Sequence, residues 1–178
     1  MPCQVGEAMI FRLSQKLNAN IKARSSESLP LDENPFADWS AHLFAAYRTQ
    51  YIILCNTKSL YSVVMYGKGI TDHSLFIDRA LGNLREFMEA DGQESLHRRF
   101  IVSTTGSVRF AKALNRSVTG SINDMINQAT YWLAQGDISP FHIGFRLNET
   151  PMSAIARSGS PYGIPREAFK ALESGVEV

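Results

Sequence analysis

The chain has 178 residues, 44% of them hydrophobic and 20% charged, a length and composition suited to a soluble globular domain with a sizeable core. Against 17 Asp and Glu stand 18 Lys and Arg, and a net charge of +1 gives no electrostatic case for a nucleic-acid or membrane partner. The two cysteines, Cys3 and Cys55, exclude a disulfide framework and lack metal-ligand spacing; a reducing, cytoplasmic setting fits them.

In chain order, "MPCQVGEA" has neither the basic start nor the apolar run of a secretory signal, and no apolar segment reaches membrane-spanning length. Residues 1–8 read as a flexible extension, or as what precedes an alternative start at Met9. "MIFRL" has a strand's composition, and Ser14 is the natural N-cap of a short helix through "QKLNANI". The polar "KARSSESLPLDENP" reads as a surface loop. "WSAHLFAAYR", "QYIILCN" and "LYSVVMY" read as three antiparallel strands, with tight turns near 48–50 and 56–59. "GKG" lacks the spacing of a phosphate-binding loop and reads as a turn.

Ile77, Ala80, Leu81, Leu84, Phe87 and Met88 then recur at helical intervals, with Thr71 or Asp72 as N-cap and Gly92 as the stop. "FIVST" and "SVRFA" around Thr105-Gly106 predict a β-hairpin. Val118, Ile122, Met125, Ile126, Ala129, Trp132 and Leu133 make the apolar stripe of a second long helix, ending before Gly136. Ser139-Pro140 and Thr150-Pro151 each place a cap before a proline, so two shorter helices follow, and "IPREAFKALE" forms a last one beyond "ARSGSPYG". The fold class is α+β: a mostly antiparallel sheet, built from the central three-strand meander and the later hairpin, is packed on one side by two long amphipathic helices. The N-terminal strand is expected at an edge. Domains divide as a 1–8 extension, a 9–136 core, and a 137–178 helical C-terminal extension with a loop near 156–163.

Chemistry is harder to place. His42, His73, His97 and His142 are scattered, so neither a metal nor a cofactor is expected. His42 and Cys55 fall on adjacent strands, which makes a Cys-His nucleophilic pair conceivable, against the commoner reading of a buried cysteine as a small hydrophobe. No Gly-x-Ser-x-Gly elbow occurs, and Asp32, Glu33 and Asp38 supply acid without an assigned partner.

"ALNRSVTGSIND", residues 113–124, concentrates polar side chains at the start of the second long helix. Asn115 or Ser117 accounts for a cap. Arg116, Gly120, Ser121, Asn123 and Asp124 remain beside it, and Arg116 with the free helix amides suits a carboxylate or phosphate. The competing reading is packing plus an internal Arg116 salt bridge to Asp38 or Asp124.

Taken together, "LSQKL" (13–17), "DWSAHLFAAYRTQYIILCNTKSLYSVV" (38–64), "FIDRALGNL" (76–84) and "LNRSVTGSIND" (114–124) resemble a family of uncharacterised small bacterial proteins catalogued as a domain of unknown function. The resemblance spans roughly 9–136 and implies Trp39, Asn56, Ser59, Leu60, Asn115, Arg116, Ser117, Gly120, Asn123 and Asp124 as positions of interest. It implies no activity. Trp39 also reads as a core anchor, and Asn56 with Ser59 as the closing bonds of a turn.

Three functions are ranked. First comes a non-enzymatic binding or interaction module, with a homo-oligomer or a protein partner left open. Second is an enzyme acting on a small anionic substrate held by Arg116 and the helix start, with Ser117, Asn56 or His42 near the reacting centre. Third is a nucleic-acid-associated protein using Arg12, Lys16, Lys22 and Arg24.

Overall fold

A computed structural model describes residues 7–175, so Cys3 and nearly all of the expected 1–8 extension lie outside the described residues. The elements, in order, are β1 (Met9–Leu13), α1 (Gln15–Asn20), β2 (Asp38–Ala46), β3 (Thr49–Asn56), β4 (Ser62–Tyr66), α2 (His73–Ala90), α3 (Glu94–Leu96), β5 (Val108–Ala111), α4 (Arg116–Ala134), α5 (Pro140–Leu147) and α6 (Pro165–Ala171). Among the described residues no helix is long and apolar enough to cross a membrane.

The fold is α+β, on a five-stranded, mostly antiparallel sheet of order β4-β3-β2-β1-β5. The β2-β3-β4 meander is antiparallel as its sequence implies, and its first turn places Tyr47 and Arg48 at φ 48° and 65°, the left-handed pair that suits a two-residue hairpin loop. Strand β1 is not at an edge. All five of its residues are buried, and it runs parallel to β2 on one side and to β5 on the other.

The predicted hairpin around Thr105-Gly106 does not form. "FIVST" is instead spent in a π-helical turn, His97–Ile101, and a 3-10 turn, Val102–Thr104. The π turn brings Leu96 and Ile101, five residues apart and both buried, toward the same core, so tertiary burial overrides β propensity there. Only Val108–Ala111 is a strand, and it pairs with β1.

The two long helices cover opposite faces rather than one. Ile52 and Leu54 of β3 pack in a core with Phe76, Ala80, Leu84 and Phe87 of α2, while the intervening Ile53 and Cys55 join a second core with Ile122, Met125 and Ala129 of α4. Burial on both faces explains why "QYIILCN" is almost continuously apolar. Asp72 caps α2 through the Leu75 amide, and Gly92, at φ 75°, ends its turn.

The segment from residue 137 packs into both cores. Ile143 and Leu147 of α5 and Ala168 of α6 enter the second, and Phe169 enters the first, where it stacks on Tyr61 at 4.3 Å. Ser139 caps α5 as expected, but Thr150-Pro151 opens no α-helix: Met152 bridges Gly163, and a 3-10 turn, Ser153–Ile155, follows. Helix α5 closes the free edge of β4. Asn148 is fully buried; its Oδ1 accepts the Ser62 amide at 2.7 Å and its Nδ2 donates to the Ser62 carbonyl at 2.9 Å. Its side chain thus replaces a neighbouring strand. Gly144 permits the approach, because a Cβ there would lie 2.6 Å from the Phe87 ring.

Beside β2 the second apolar core gives way to charge. Arg12 donates from Nε to Asp38 Oδ1 and from Nη2 to Oδ2, both at 2.8 Å, and neither side chain is exposed. Its Nη1 and Nη2 also donate to the carbonyls of Leu29 and Pro30 at 2.7 and 2.8 Å, and Asp38 Oδ2 accepts the Asp32 amide at 3.1 Å. The internal salt bridge at Asp38 therefore belongs to Arg12 and not to Arg116. Residues 22–34, read from sequence as a loop, form a strap pinned over this face. Commitment to Asp38 also withdraws Arg12 from any contact with phosphates.

Two outcomes follow for stability. Asn148→Ala leaves both backbone groups of Ser62 without their partner and costs about 1–3 kcal/mol, read as a lower denaturant midpoint at unchanged slope. Arg12→Met strands a buried carboxylate and costs about 3–5 kcal/mol. Adding Asp38→Leu recovers only part of that loss, because the Leu29 and Pro30 carbonyls still lack a donor.

Candidate functional site

Strand β2 runs for nine residues beside a β1 of five, and the last paired positions are Leu13 and Ala41. The next residue along β2 is His42. There the Ser14 amide bonds to the Ala41 carbonyl at 3.0 Å and the chain turns away into α1, capped by Ser14 Oγ on the Leu17 amide. His42 is thus left without a strand neighbour on the β1 side, and a cleft of about 690 Å³ opens there.

Leu13 and Ser14 line the cleft from the end of β1, Gln15 and Asn18 from α1, and Ser25 from the strap; Ala111, Lys112 and Ala113 lie at the end of β5, with Thr119 and Asn123 on α4. It lies at the carboxyl ends of the parallel strands β1 and β5, the place where open sheets commonly hold ligands. The strap wall is fixed by Asn18, whose Oδ1 accepts the Ser25 amide at 3.0 Å and whose Nδ2 donates to the Ser25 carbonyl at 3.1 Å. The Lys112 amide donates to the Glu27 carbonyl at 2.8 Å, joining the strap to the end of β5.

His42 is 7% exposed, and its ring has no hydrogen-bond partner among the described residues. Burial lowers its pKa from 6.5 to about 4, so the ring is neutral near pH 7, with one donor and one acceptor nitrogen. Ser25 Oγ is buried and likewise unpartnered. Lys112 is exposed, forms no ion pair among the described residues, and is the sole charged residue lining the cleft among them.

The residues singled out at the start of α4 separate. Asn115 is the cap, its Oδ1 accepting the Val118 amide at 2.9 Å, and Ser121 Oγ donates to the Ser117 carbonyl at 3.1 Å. Gly120 faces open space, since a Cβ there meets nothing within 4 Å, so no close approach requires its small size. Arg116, Ser117 and Asp124 are exposed and do not line the cleft; Arg116 makes no ion pair among the described residues. Asn123 alone of the predicted residues reaches it.

Asn56 and Ser59 close a buried turn. Asn56 Oδ1 accepts the Ser59 amide at 3.0 Å and the Ser59 hydroxyl at 2.8 Å, while its Nδ2 donates to the Pro35 carbonyl at 2.8 Å. Neither lines the cleft. The Cys-His pair does not form either: Cys55 lies opposite Ser40, His42 lies opposite Ile53, and the thiol donates weakly to the Asn56 carbonyl at 3.7 Å. Burial pushes that thiol up to about 12, so no thiolate is present near neutral pH.

Sequence reasoning reached His42 through Cys55 and as a group near the reacting centre of the enzyme reading, and it missed Lys112 and Ser25. The one available signal was a histidine in an inward position of a buried strand, in alternation with Asp38 and Ser40. A larger cleft, about 840 Å³, opens on the other side of the strap beside Glu7, Asp32, Asn34 and Arg109. Several of its polar groups are already engaged: Asn34 Nδ2 donates to the Phe100 carbonyl at 2.8 Å, Glu7 accepts from Ser103 at 2.9 Å, and Arg109 pairs with Glu27 at 3.3 Å. Among the described residues no group of three or more His, Cys, Asp and Glu is placed to hold a metal ion.

His42 makes stability depend on pH. Above pH 6.5 the ring is neutral folded or unfolded; as pH falls from 6.5 toward 4 the unfolded chain takes up the proton and the native one does not, so stability falls. The loss is on the order of 3 kcal/mol across that window, and His42→Phe removes this part of the slope in parallel denaturant melts at pH 7 and pH 4.5.

The model of a family described as a domain of unknown function, DUF6933, matches residues 10–168, from β1 through most of α6. No curated protein matches the chain. The match takes in every element that walls the cleft, and the chain belongs to the DUF6933 family.

Proposed function

We propose that this chain is a small-molecule binding module whose site is the cleft at His42. The supporting observation is the imidazole itself: a neutral ring on a largely buried residue, with neither nitrogen bonded to protein among the described residues, opening on a cleft of ligand size. Native proteins pair their buried polar groups almost without exception, and Ser25 Oγ, which lines the same cleft, is a buried atom without a partner among the described residues, best satisfied by an occupant.

Binding is favoured over catalysis by what surrounds the ring. Thr119 Oγ1 is engaged with the Asn115 carbonyl, Ser14 Oγ with the Leu17 amide, and the Cys55 thiol is protonated and buried. The earlier enzyme reading placed Arg116 at the anion, and Arg116 is not among the cleft residues. Titration of the ¹⁵N-labelled protein with a panel of small polar metabolites tests the proposal. At least one compound shifts the His42 ring signals and the amides of Lys112, Thr119 and Asn123 together, and His42→Phe abolishes or weakens that response. A panel that leaves these signals still, or moves only residues elsewhere, overturns the assignment.

A further inference from the structure

The cleft has a one-sided charge. Lys112 from the end of β5 is the charged lining residue, α1, the strap and α4 bring uncharged amides and hydroxyls, and the nearby Arg12 and Asp38 neutralise each other. Helix α4 stands at its wall through Thr119 and Asn123, side chains without charge. A cationic ligand would find no carboxylate there among the described residues, whereas an anion would find a lysine. The imidazole supplies a different need. A neutral ring has one nitrogen that can only accept, and no cleft residue donates to it among the described residues.

We infer that the occupant is a small organic anion that also carries a hydroxyl or N–H group, its anionic end meeting Lys112 and its donor bonding to the free ring nitrogen of His42. The inference rests on the cleft being the binding site. It separates the two roles: Lys112 provides attraction for any anion, and His42 selects among anions for those with a donor. A neutral polyol of equal size satisfies only the ring, and a simple carboxylate only the lysine.

Three matched probes test this by NMR titration at pH 7 and low salt: 2-hydroxyhexanoate, hexanoate and 1,2-hexanediol. The hydroxy acid binds tightest, about threefold to tenfold more tightly than hexanoate, the worth of one hydrogen bond. The diol binds weakest. His42→Phe erases the preference for the hydroxy acid over hexanoate, and Lys112→Met weakens both acids but not the diol. His42→Gln, which keeps an acceptor, retains part of the preference and guards against a packing defect in the phenylalanine variant; melts of each variant report its folding. Equal binding of the two acids, or a preference that survives His42→Phe, overturns the role of the ring. Silence from all three probes while other panel compounds still move the cleft signals overturns the anion class and leaves the binding site standing. No response at the cleft to any compound removes both.

Discussion

The architecture on one face of the sheet depends on a buried ion pair. Arg12 and Asp38 are wholly enclosed, and the guanidinium makes four hydrogen bonds, two to the carboxylate and two to strap carbonyls. Taking such a pair out of water costs several kcal/mol per ion, recovered only where the geometry is good and the remaining donors are used. Both conditions hold here: the contact is bidentate, and the other donors go to backbone. The pair therefore fastens the strap to the paired strands β1 and β2. The strap needs that anchorage. It carries left-handed backbone at Lys22 and Arg24, with φ of 55° and 54°, an unfavourable conformation for residues with side chains.

From that clamp the cleft follows by geometry. Helix α4 covers the β2, β3 and β4 part of the second face, where Ile53, Cys55 and Val64 meet Ile122 and Met125. The strap covers the β1 side. Two coverings of such different construction, one an apolar helix stripe and the other a polar strap hung on a guanidinium, do not merge into a continuous layer at the carboxyl end of β1. Because β1 stops at Leu13 while β2 continues to Ala46, His42 stands at the resulting gap.

Local physics was legible in the sequence, and long-range pairing was not. The caps at Ser14, Asp72, Asn115 and Ser139 each accept from an amide three residues on, and the long amphipathic helices were set by their own periodicity. The meander was readable because its turns are short. What escaped was decided by residues far apart: Arg12 and Asp38 lie 26 positions apart, and Asn148 reaches Ser62 across 86. The parallel placement of β5 beside β1 escaped for the same reason. Two-sided burial was half visible, since the unbroken apolar run of β3 signals helices on both faces, yet each helix taken alone shows only that it has one apolar side.

The same division explains where the candidate site lies. The polar cluster at the start of α4 drew attention because its residues are adjacent, but adjacency lets such groups satisfy one another: Asn115, Thr119 and Ser121 each find a partner within four residues. A cluster closed by its own backbone has little left to offer a ligand. The groups that stay open come from β2, the strap and the end of β5, segments that neither cap nor turn can join. They are brought together by the sheet order and by the Arg12 clamp, and His42 is left unpaired because β1 ends one residue too early to cover it. Open hydrogen-bonding groups in this fold thus arise where local pairing fails to close, at a boundary between two covering layers.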